Sequence, residues 1–592
     1  MLKLWMTGVL SAVLGVYPAL AGNAPNNETA NKEVASQPAM PAASNGVGES
    51  SASRGRAAEE PSPASYGAEI EQLREMVTEQ ARQLETQQQL LREQEQKLSA
   101  LTEELRAARS ANEHLAAPAS SGLASLAAGA NSEMSGNAPA PVALATSASS
   151  PQQGPPGEES PLRFRIGTAD ITPVGFMDFT GVWRSRDGGS GIGTNFAGIP
   201  YGGSTSIPTN LGEFRESMQN SRIGFRVDAD VKGAHVIGYM ETDFLGNNPG
   251  NVAVSSNSNT LRSRLYWVDL RESHWEVLGG QTWSLITPNR SGISPLPADV
   301  FFSQDMDVNY QLGLVWGRIP ELRVVYHPSD KMAFAIALDS PEQYIGGSAG
   351  APTPTLPAAL ATYTTELNNG GNTFGVPNRA PDVIAKLAFD PSKKVHAEIG
   401  GVARFFQAYN PTSATHYSAT GGGGFVNVNF ELFKGFRLLT NNFWSDGGGR
   451  YIFGQAPDLI VRADGSLSLI HSGSTVSGVE YTHRNTMIFG YYGGLYVQRN
   501  VAFDANGTTL IGYGFSGSSS SQNRAVQEGT LGFNQAFWKN AKYGALNLIG
   551  QYSYLSRNPW FVATGAPKDA HLDMVFLDLR YTLPGSAPTL GK

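Results

Sequence analysis

The stretch Val426-Asn427-Val428-Asn429-Phe430-Glu431-Leu432 alternates between apolar and polar side chains with a period of two. Residues 575–581 near the C-terminus and residues 222–228 follow the same pattern. Because successive side chains of a β-strand point to opposite faces, each stretch predicts a strand with one apolar and one polar face. A soluble antiparallel sandwich would show the same alternation, so this pattern leaves two architectures open.

The connections between these stretches favour a membrane barrel over a sandwich. From residue 161 onward, long segments rich in Gly, Ser and Asn alternate with short turns such as Lys232-Gly233. We count eight long loops, including one at 409–421, and seven short turns, which together predict about sixteen antiparallel strands, although eighteen strands would also fit. An even strand number, with long and short connections at opposite rims, is typical of a bacterial outer-membrane β-barrel.

The composition agrees with a barrel wall better than with several packed cores. The chain has 592 residues, of which 41% are hydrophobic and 67 are glycine, and it has no cysteine. A barrel satisfies its backbone groups between strands and needs no apolar core, so its hydrophobicity is spread over the outside. Sixteen strands are wide enough to leave an aqueous channel, which predicts passage of solutes.

The charge is distributed unevenly along the chain. Residues 1–160 carry 18 acidic and 10 basic side chains, whereas residues 161–592 carry 33 of each. The net charge of −8 therefore belongs to the N-terminal part, and the C-terminal body is neutral. An acidic chain without a basic face argues against a nucleic-acid partner.

The N-terminal part divides into four predicted segments. Residues 1–21 have one lysine, an apolar run and an Ala-Leu-Ala end, which predicts a signal peptide, with a membrane anchor as the alternative. Residues 22–65 are predicted to be disordered and 118–160 to form a flexible linker, because they are poor in large apolar side chains. The barrel would occupy 161–592, and the arm would project into the periplasm of a Gram-negative bacterium.

Residues 66–117 carry a heptad pattern that predicts a coiled coil. Consecutive glutamines at one core position are better accommodated when they stack on copies of themselves, which favours a homo-oligomer. A single solvated helix is the alternative. The predicted core positions are Ile70, Leu73, Val77, Gln80, Leu84, Gln87, Leu91, Gln94, Leu98, Leu101 and Leu105.

The polar faces of the first six strands predict an arginine-lined passage. A guanidinium group is always charged and binds carboxylates or phosphates bidentately, so a wall of arginines would attract anions. The candidates are Arg184, Arg186, Arg222, Arg226, Arg262, Arg264 and Arg323. Two nearby acids, Glu241 and Asp243, could neutralise this wall, as could three acids of a predicted constriction loop, Asp299, Asp305 and Asp307.

The sequence offers little support for an enzyme. It has no His-Glu-x-x-His zinc motif and no phosphate-loop lysine motif, and the histidines have no ligand spacing, so neither a metal nor a cofactor is predicted. The nucleophile-elbow pattern at 346–350 lies in a low-complexity loop. We predict that Trp183, Trp267, Trp275 and Trp283 face lipid or form an interfacial girdle.

The order of segments resembles that of the DcaP-like trimeric outer-membrane porins. The stretches that carry the resemblance are 220–226 (NSRIGFR), 241–244 (ETDF), 261–264 (LRSR) and 280–284 (GQTWS). The resemblance implies a homotrimer in outer-membrane lipid, one pore per protomer, and uptake of small anions such as dicarboxylates past Arg222, Arg226, Arg262 and Arg264. The tail after Tyr581 departs from the aromatic end that is usual in this family.

Three functions remain in competition at this point. The first is a passive porin for small hydrophilic solutes that favours anions. The second is a sugar-selective porin with a coiled-coil arm. The third is a structural tether, in which the barrel anchors the chain and the arm binds peptidoglycan.

Overall fold

The protein was analysed as a computed structural model that describes residues 160–188, 191–247, 259–300, 303–346, 353–363 and 378–584. The predicted signal peptide, disordered segment and coiled coil, with nearly all of the linker, lie outside the described residues. No helix in the described part of the chain is long and apolar enough to cross a membrane.

The described residues form one closed antiparallel β-barrel. Its sheet contains 18 strand segments. Phe164–Ile166 pairs only with the start of the first barrel strand, and Glu213–Ser217 and Arg222–Val231 are two parts of one strand. Sixteen barrel strands therefore result, and the pairing of the first strand with the last closes the barrel. The strands are β1 Ala169–Arg184, β2 Glu213–Ser217 with Arg222–Val231, β3 Ala234–Asp243, β4 Arg262–Glu272, β5 Trp275–Trp283, β6 Arg318–Ser329, β7 Met332–Asp339, β8 Asp382–Ser392, β9 Val395–Asn410, β10 Thr415–Phe433, β11 Phe436–Asp446, β12 His471–His483, β13 Thr486–Val497, β14 Asn523–Asn540, β15 Gly544–Pro559 and β16 Ala570–Thr582.

The connections alternate between short turns and longer loops, as predicted, with one exception. The loops at one rim are loop 1 (185–212), loop 2 (244–261), loop 3 (284–317), loop 4 (340–381), loop 6 (447–470), loop 7 (498–522) and loop 8 (560–569). The predicted long loop at 409–421 is wrong: β9 and β10 continue as a paired hairpin up to a turn at 411–414. Asn410, Pro411 and Gly421 are poor strand formers and suggest a loop, yet cross-strand pairing holds the residues on either side of the turn in the ladder.

The loops contain short helical turns and two small hairpins. Single helical turns lie at Ile207–Asn210 and Pro297–Val300, and 3-10 turns lie at Phe196–Gly198, Ala358–Tyr363 and Gly449–Tyr451. Small hairpins pair Leu459–Val461 with Leu467–Leu469 and Asn500–Phe503 with Leu510–Tyr513.

The apolar face of each strand points outward and the polar face points into the barrel. In β16, Leu577 is 56% exposed, whereas its neighbour Asp578 is fully buried. In β10, Val426 is 37% exposed and Asn427 is fully buried. This pattern is the reverse of a soluble sandwich, so the two architectures left open by the alternation are resolved in favour of a membrane barrel.

The tryptophan prediction is correct for two residues and wrong for two. Trp183 and Trp275 are exposed on the outer face, but Trp267 and Trp283 are buried inside the barrel. An irregularity in the pairing of β3 with β4 shifts the register of β4 just before Trp267, which turns that side chain inward.

Candidate pore constriction

Loop 3 folds into the barrel and attaches to the far wall. Its backbone amides and one of its arginines are bonded by side chains of five different strands, β9 and β11–β14. The contacts are Asn289 N to Glu398 (3.1 Å), Arg290 to Glu480 (2.7 Å), Gln304 N to the Tyr491 hydroxyl (3.0 Å), Leu312 N to Glu528 (2.9 Å) and Val315 N to Asn441 (3.2 Å). Because these partners lie on the polar face of the wall, loop 3 narrows the lumen rather than covering the outer rim.

Two glycines, one in the wall and one in loop 3, allow the loop backbone to contact the wall closely. A Cβ atom on Gly493 of β13 would stand 2.0 Å from the Leu312 carbonyl oxygen. Gly313 has a φ of +84°, and a Cβ there would stand 2.4 Å from the Thr475 carbonyl oxygen. Neither position has room for a side chain, so the close contact between loop 3 and the wall depends on both glycines.

A cleft separates loop 3 from the barrel wall, where residues of β14–β16 and β2 line it. Its charged lining consists of Arg222 and Arg580 from the wall and Asp305 and Asp307 from loop 3. The two guanidinium groups flank the Phe176 ring at 4.9 Å and 4.4 Å from its centroid. The cleft therefore has a basic side and an acidic side.

Three of the predicted arginines are brought together, and they share two carboxylates. Arg264 bonds Glu241 at 2.9 Å and Asp243 at 2.6 Å. Arg262 bonds Asp243 at 2.7 Å, and Arg222 lies 3.6 Å from Glu241. The two acids thus take the neutralising role considered for them, and each of them pairs with two of the three guanidinium groups.

Tyr310 of loop 3 completes this group. Its hydroxyl accepts hydrogen bonds from Arg264 at 3.1 Å and Arg222 at 3.4 Å. Burial acts to raise the pKa of Tyr310, but the guanidinium groups of Arg264, Arg222 and Arg318 outweigh it and lower the pKa. The hydroxyl therefore lies where negative charge is favoured.

The other predicted arginines lie apart from the cleft. Arg184 is buried and bonds Glu213 at 2.9 Å. Arg226 bonds Asp228 at 2.6 Å, and Arg323 bonds the Trp283 carbonyl oxygen at 2.7 Å. Arg186 follows the end of β1 and lies 3.2 Å from His571. A role for these four in the substrate pathway stays a prediction.

The three predicted acids lie in loop 3, inside the barrel. Asp307 accepts hydrogen bonds from the Thr194 amide at 3.0 Å and ties loop 3 to loop 1. Asp305 accepts one from Gln551 of β15 at 2.9 Å. Burial, followed by the neighbouring Asp307 carboxylate, raises the pKa of Asp305 to about 8. Burial also raises the pKa of Asp307 and of Asp299, which is not among the residues that line the cleft.

Sequence reasoning missed Arg580 and Arg318. Arg580 lies on the polar face of the last alternating stretch and bonds Asp178 at 2.6 Å, so its inward direction was already implied by the period-two pattern. Arg318 begins β6 at the end of loop 3 and lies 5.6 Å from the ring centroids of Trp283 and Trp316. Its role depends on the path of loop 3, for which the sequence carries no signal.

Among solved structures, the chain is similar to the outer membrane channel DcaP of Acinetobacter baumannii. The two share 16% sequence identity over 70% of this chain and 97% of that chain, with a TM-score of 0.50. This likeness shows a common fold and confirms, for the fold, the resemblance to DcaP-like porins. The chain is also similar to Salmonella typhi OmpF in complex with daunomycin, with 9% identity over 71% of this chain and 99% of that chain and a TM-score of 0.41. A third similar structure is Pseudomonas putida OprB at high pH, with 12% identity over 69% of this chain and 94% of that chain and a TM-score of 0.39. No protein-family model and no curated protein matches the chain significantly.

Proposed function

We propose that the protein is an outer-membrane porin that lets small hydrophilic solutes diffuse through the barrel and favours negatively charged ones such as dicarboxylates. The observation that carries this proposal is a closed sixteen-stranded barrel in which loop 3 narrows the lumen to a cleft lined by charged side chains. A solute would pass between loop 3 and the wall of β14–β16, β1 and β2.

The preference for anions rests on the charge balance beside the cleft. Arg222, Arg262 and Arg264 lie together there and share two carboxylates, those of Glu241 and Asp243. A carboxylate solute could share these guanidinium groups, which hold carboxylates bidentately in a site of focused field. A second carboxylate on the same solute could reach Arg580 across the Phe176 ring.

Reversal potentials under a salt gradient in planar bilayers test the preference. We expect wild-type channels to prefer anions and Arg222→Gln to reduce the anion-to-cation permeability ratio about threefold or more. Lys434→Gln removes one exposed charge at a short turn and serves as the matched control, with an unchanged ratio. Cation preference in the wild type that Arg222→Gln leaves unchanged would refute the anion proposal.

The proposed assembly is a homotrimer whose coiled-coil arm, residues 66–117, lies in the periplasm. Stacked glutamines at successive core positions support self-association of the arm. Deletion of 66–117 should weaken or abolish the trimer in cross-linking and native mass measurements while each barrel still conducts. A monomeric full-length protein would contradict this assembly.

A further inference from the structure

The Tyr310 side chain occupies a position that suits a bound acid better than a loop residue. Its oxygen accepts hydrogen bonds from two guanidinium groups, those of Arg264 (3.1 Å) and Arg222 (3.4 Å). Guanidinium pairs usually converge on a carboxylate or phosphate oxygen, which accepts stronger hydrogen bonds than a neutral phenol does. The phenol oxygen therefore accepts these hydrogen bonds more weakly than the oxygen of an acid would, although both guanidinium groups also pair with Glu241 or Asp243.

The ring of Tyr310 lies between aromatic walls. Its centroid is 5.9 Å from that of Trp283 and 5.1 Å from that of Trp316, and both contacts are edge-to-face, with interplanar angles of 64° and 83°. Trp316 is held in place by stacking on Phe453 at 4.9 Å. Edge-to-face geometry is favourable for any aromatic ring, so these walls fit a ligand ring as well as the ring of Tyr310.

Arg318 adds a donor that the fold does not use. Its guanidinium lies over both Trp283 and Trp316 at 5.6 Å, and its Nη1 atom is buried without a hydrogen-bond partner among the described residues. A buried charged N–H group without an acceptor is costly, because it has lost its hydrogen bonds to water. A carboxylate entering the site would supply the missing acceptor.

Tyr310 also stands between this site and the cleft. Tyr310 and Arg222 line the cleft, whereas Arg264, Trp283 and Trp316 are not among its lining residues. The backbone of Tyr310 has a φ of +64°, a left-handed conformation that is strained for a residue with a side chain. Movement of Tyr310 out of the site would open the site to the cleft, and a change of its backbone to a negative φ would relieve this strain.

We infer that Arg222, Arg264, Arg318, Trp283 and Trp316 form a binding site for aromatic carboxylates, which Tyr310 closes when no solute is bound. The solute ring takes the place of the phenol ring, and its carboxylate takes the place of the hydroxyl. An aliphatic acid satisfies the guanidinium groups but leaves the aromatic walls unfilled. This inference rests on the proposed passage of anions along the cleft and adds the class of anion that is retained there.

Single-channel recording with benzoate and acetate as probes tests the inference. Tyr310→Gly vacates the site and suits the positive φ, so we expect the benzoate residence time to increase about tenfold or more and that of acetate less than twofold. Tyr310→Phe keeps the ring and removes only the oxygen, so benzoate residence should stay within about twofold of the wild type. An equal gain for benzoate and acetate in Tyr310→Gly would overturn the inference, because a loop that is merely loosened would not distinguish the two acids.

Two further variants distinguish an effect of the binding site from a general effect on the position of loop 3. Tyr491 also bonds loop 3, through the Gln304 amide, but donates to Glu480 and has no guanidinium donor in the site, so Tyr491→Phe should leave the ratio of benzoate to acetate residence unchanged. Arg318→Gln added to Tyr310→Gly should remove most of the benzoate gain. If that gain persists without Arg318, the assignment of the site is wrong.

Heat-modifiable gel migration, which reports a closed barrel, accompanies each recording. If Tyr310→Gly does not fold, Tyr310→Ala takes its place with the same expected result. Channels that conduct but show no selective benzoate gain in either variant overturn the inference alone. Absence of any conductance in the folded wild type overturns the proposed function itself.

Discussion

The close contact between loop 3 and β13 can be tested by adding one methyl group at Gly493. In Gly493→Ala the new Cβ atom would lie 2.0 Å from the Leu312 carbonyl oxygen and 3.0 Å from the Leu312 carbonyl carbon. Separations under 3.0 Å are essentially never seen for Cβ atoms, so the loop must move by at least about 1 Å. Both atoms belong to backbone, so no side-chain rotation can relieve the clash.

The shift has a definite energetic consequence. A displacement of this size stretches the hydrogen bond between Leu312 N and Glu528 from 2.9 Å to beyond the range of a hydrogen bond. A hydrogen bond to a charged group contributes roughly 1.5–3 kcal/mol, so loop 3 should be held about 2 kcal/mol less firmly at this point. The barrel ladder is untouched, because the side chain of residue 493 points into the lumen.

We expect folded Gly493→Ala channels to show a lower mean conductance and frequent brief closures, because the loop moves off the wall toward the passage. The measurement is single-channel recording in planar bilayers. Gly529→Ala on β14 is the matched control, since a Cβ atom there meets nothing within 4 Å. A folded Gly493→Ala channel with wild-type conductance and no additional brief closures would refute the described path of loop 3.

Two further predictions concern buried charges. Burial and Asp307 raise the pKa of Asp305 to about 8, so raising the pH from 6 to 9.5 should add a negative charge to the cleft and shift reversal potentials toward cations, which Asp305→Asn should prevent. Because the folded protein binds this proton more tightly than the unfolded chain, Asp305 should also make stability fall as pH rises between about 4 and 8. Arg264→Gln leaves the buried Asp243 with one partner fewer and should lower the free energy of unfolding by about 3 kcal/mol in urea titrations in lipid. Arg165→Gln breaks an exposed pair and should cost less than about 1 kcal/mol, so equal losses for the two variants would contradict the burial argument.

The barrel itself was accessible from the sequence. Alternation along stretches such as 426–432 and 575–581 depends only on local geometry, because a strand must present successive side chains to opposite faces. The strand number followed from the alternation of loop lengths. Only the long loop predicted at 409–421 was wrong, because pairing between β9 and β10 extends both strands to a turn at 411–414.

The candidate constriction was accessible only in part. The direction of Arg222, Arg262 and Arg264 followed from the strand pattern, as did the presence of acids in the third long loop. Their partners did not follow, because the pairing of Arg264 with Glu241 and Asp243 depends on the register between β3 and β4 and on the irregularity there.

Local periodicity thus gave the barrel, its outer apolar face and the residue types of its lumen. Tertiary contacts gave the rest: the attachment of loop 3 to the far wall, the place of Arg580 and Arg318, and the Tyr310 hydroxyl between two arginines. The physical reason is that strand direction is fixed within a few residues of the chain, whereas the path of a long loop is set by hydrogen bonds to groups far away in sequence, such as Leu312 to Glu528.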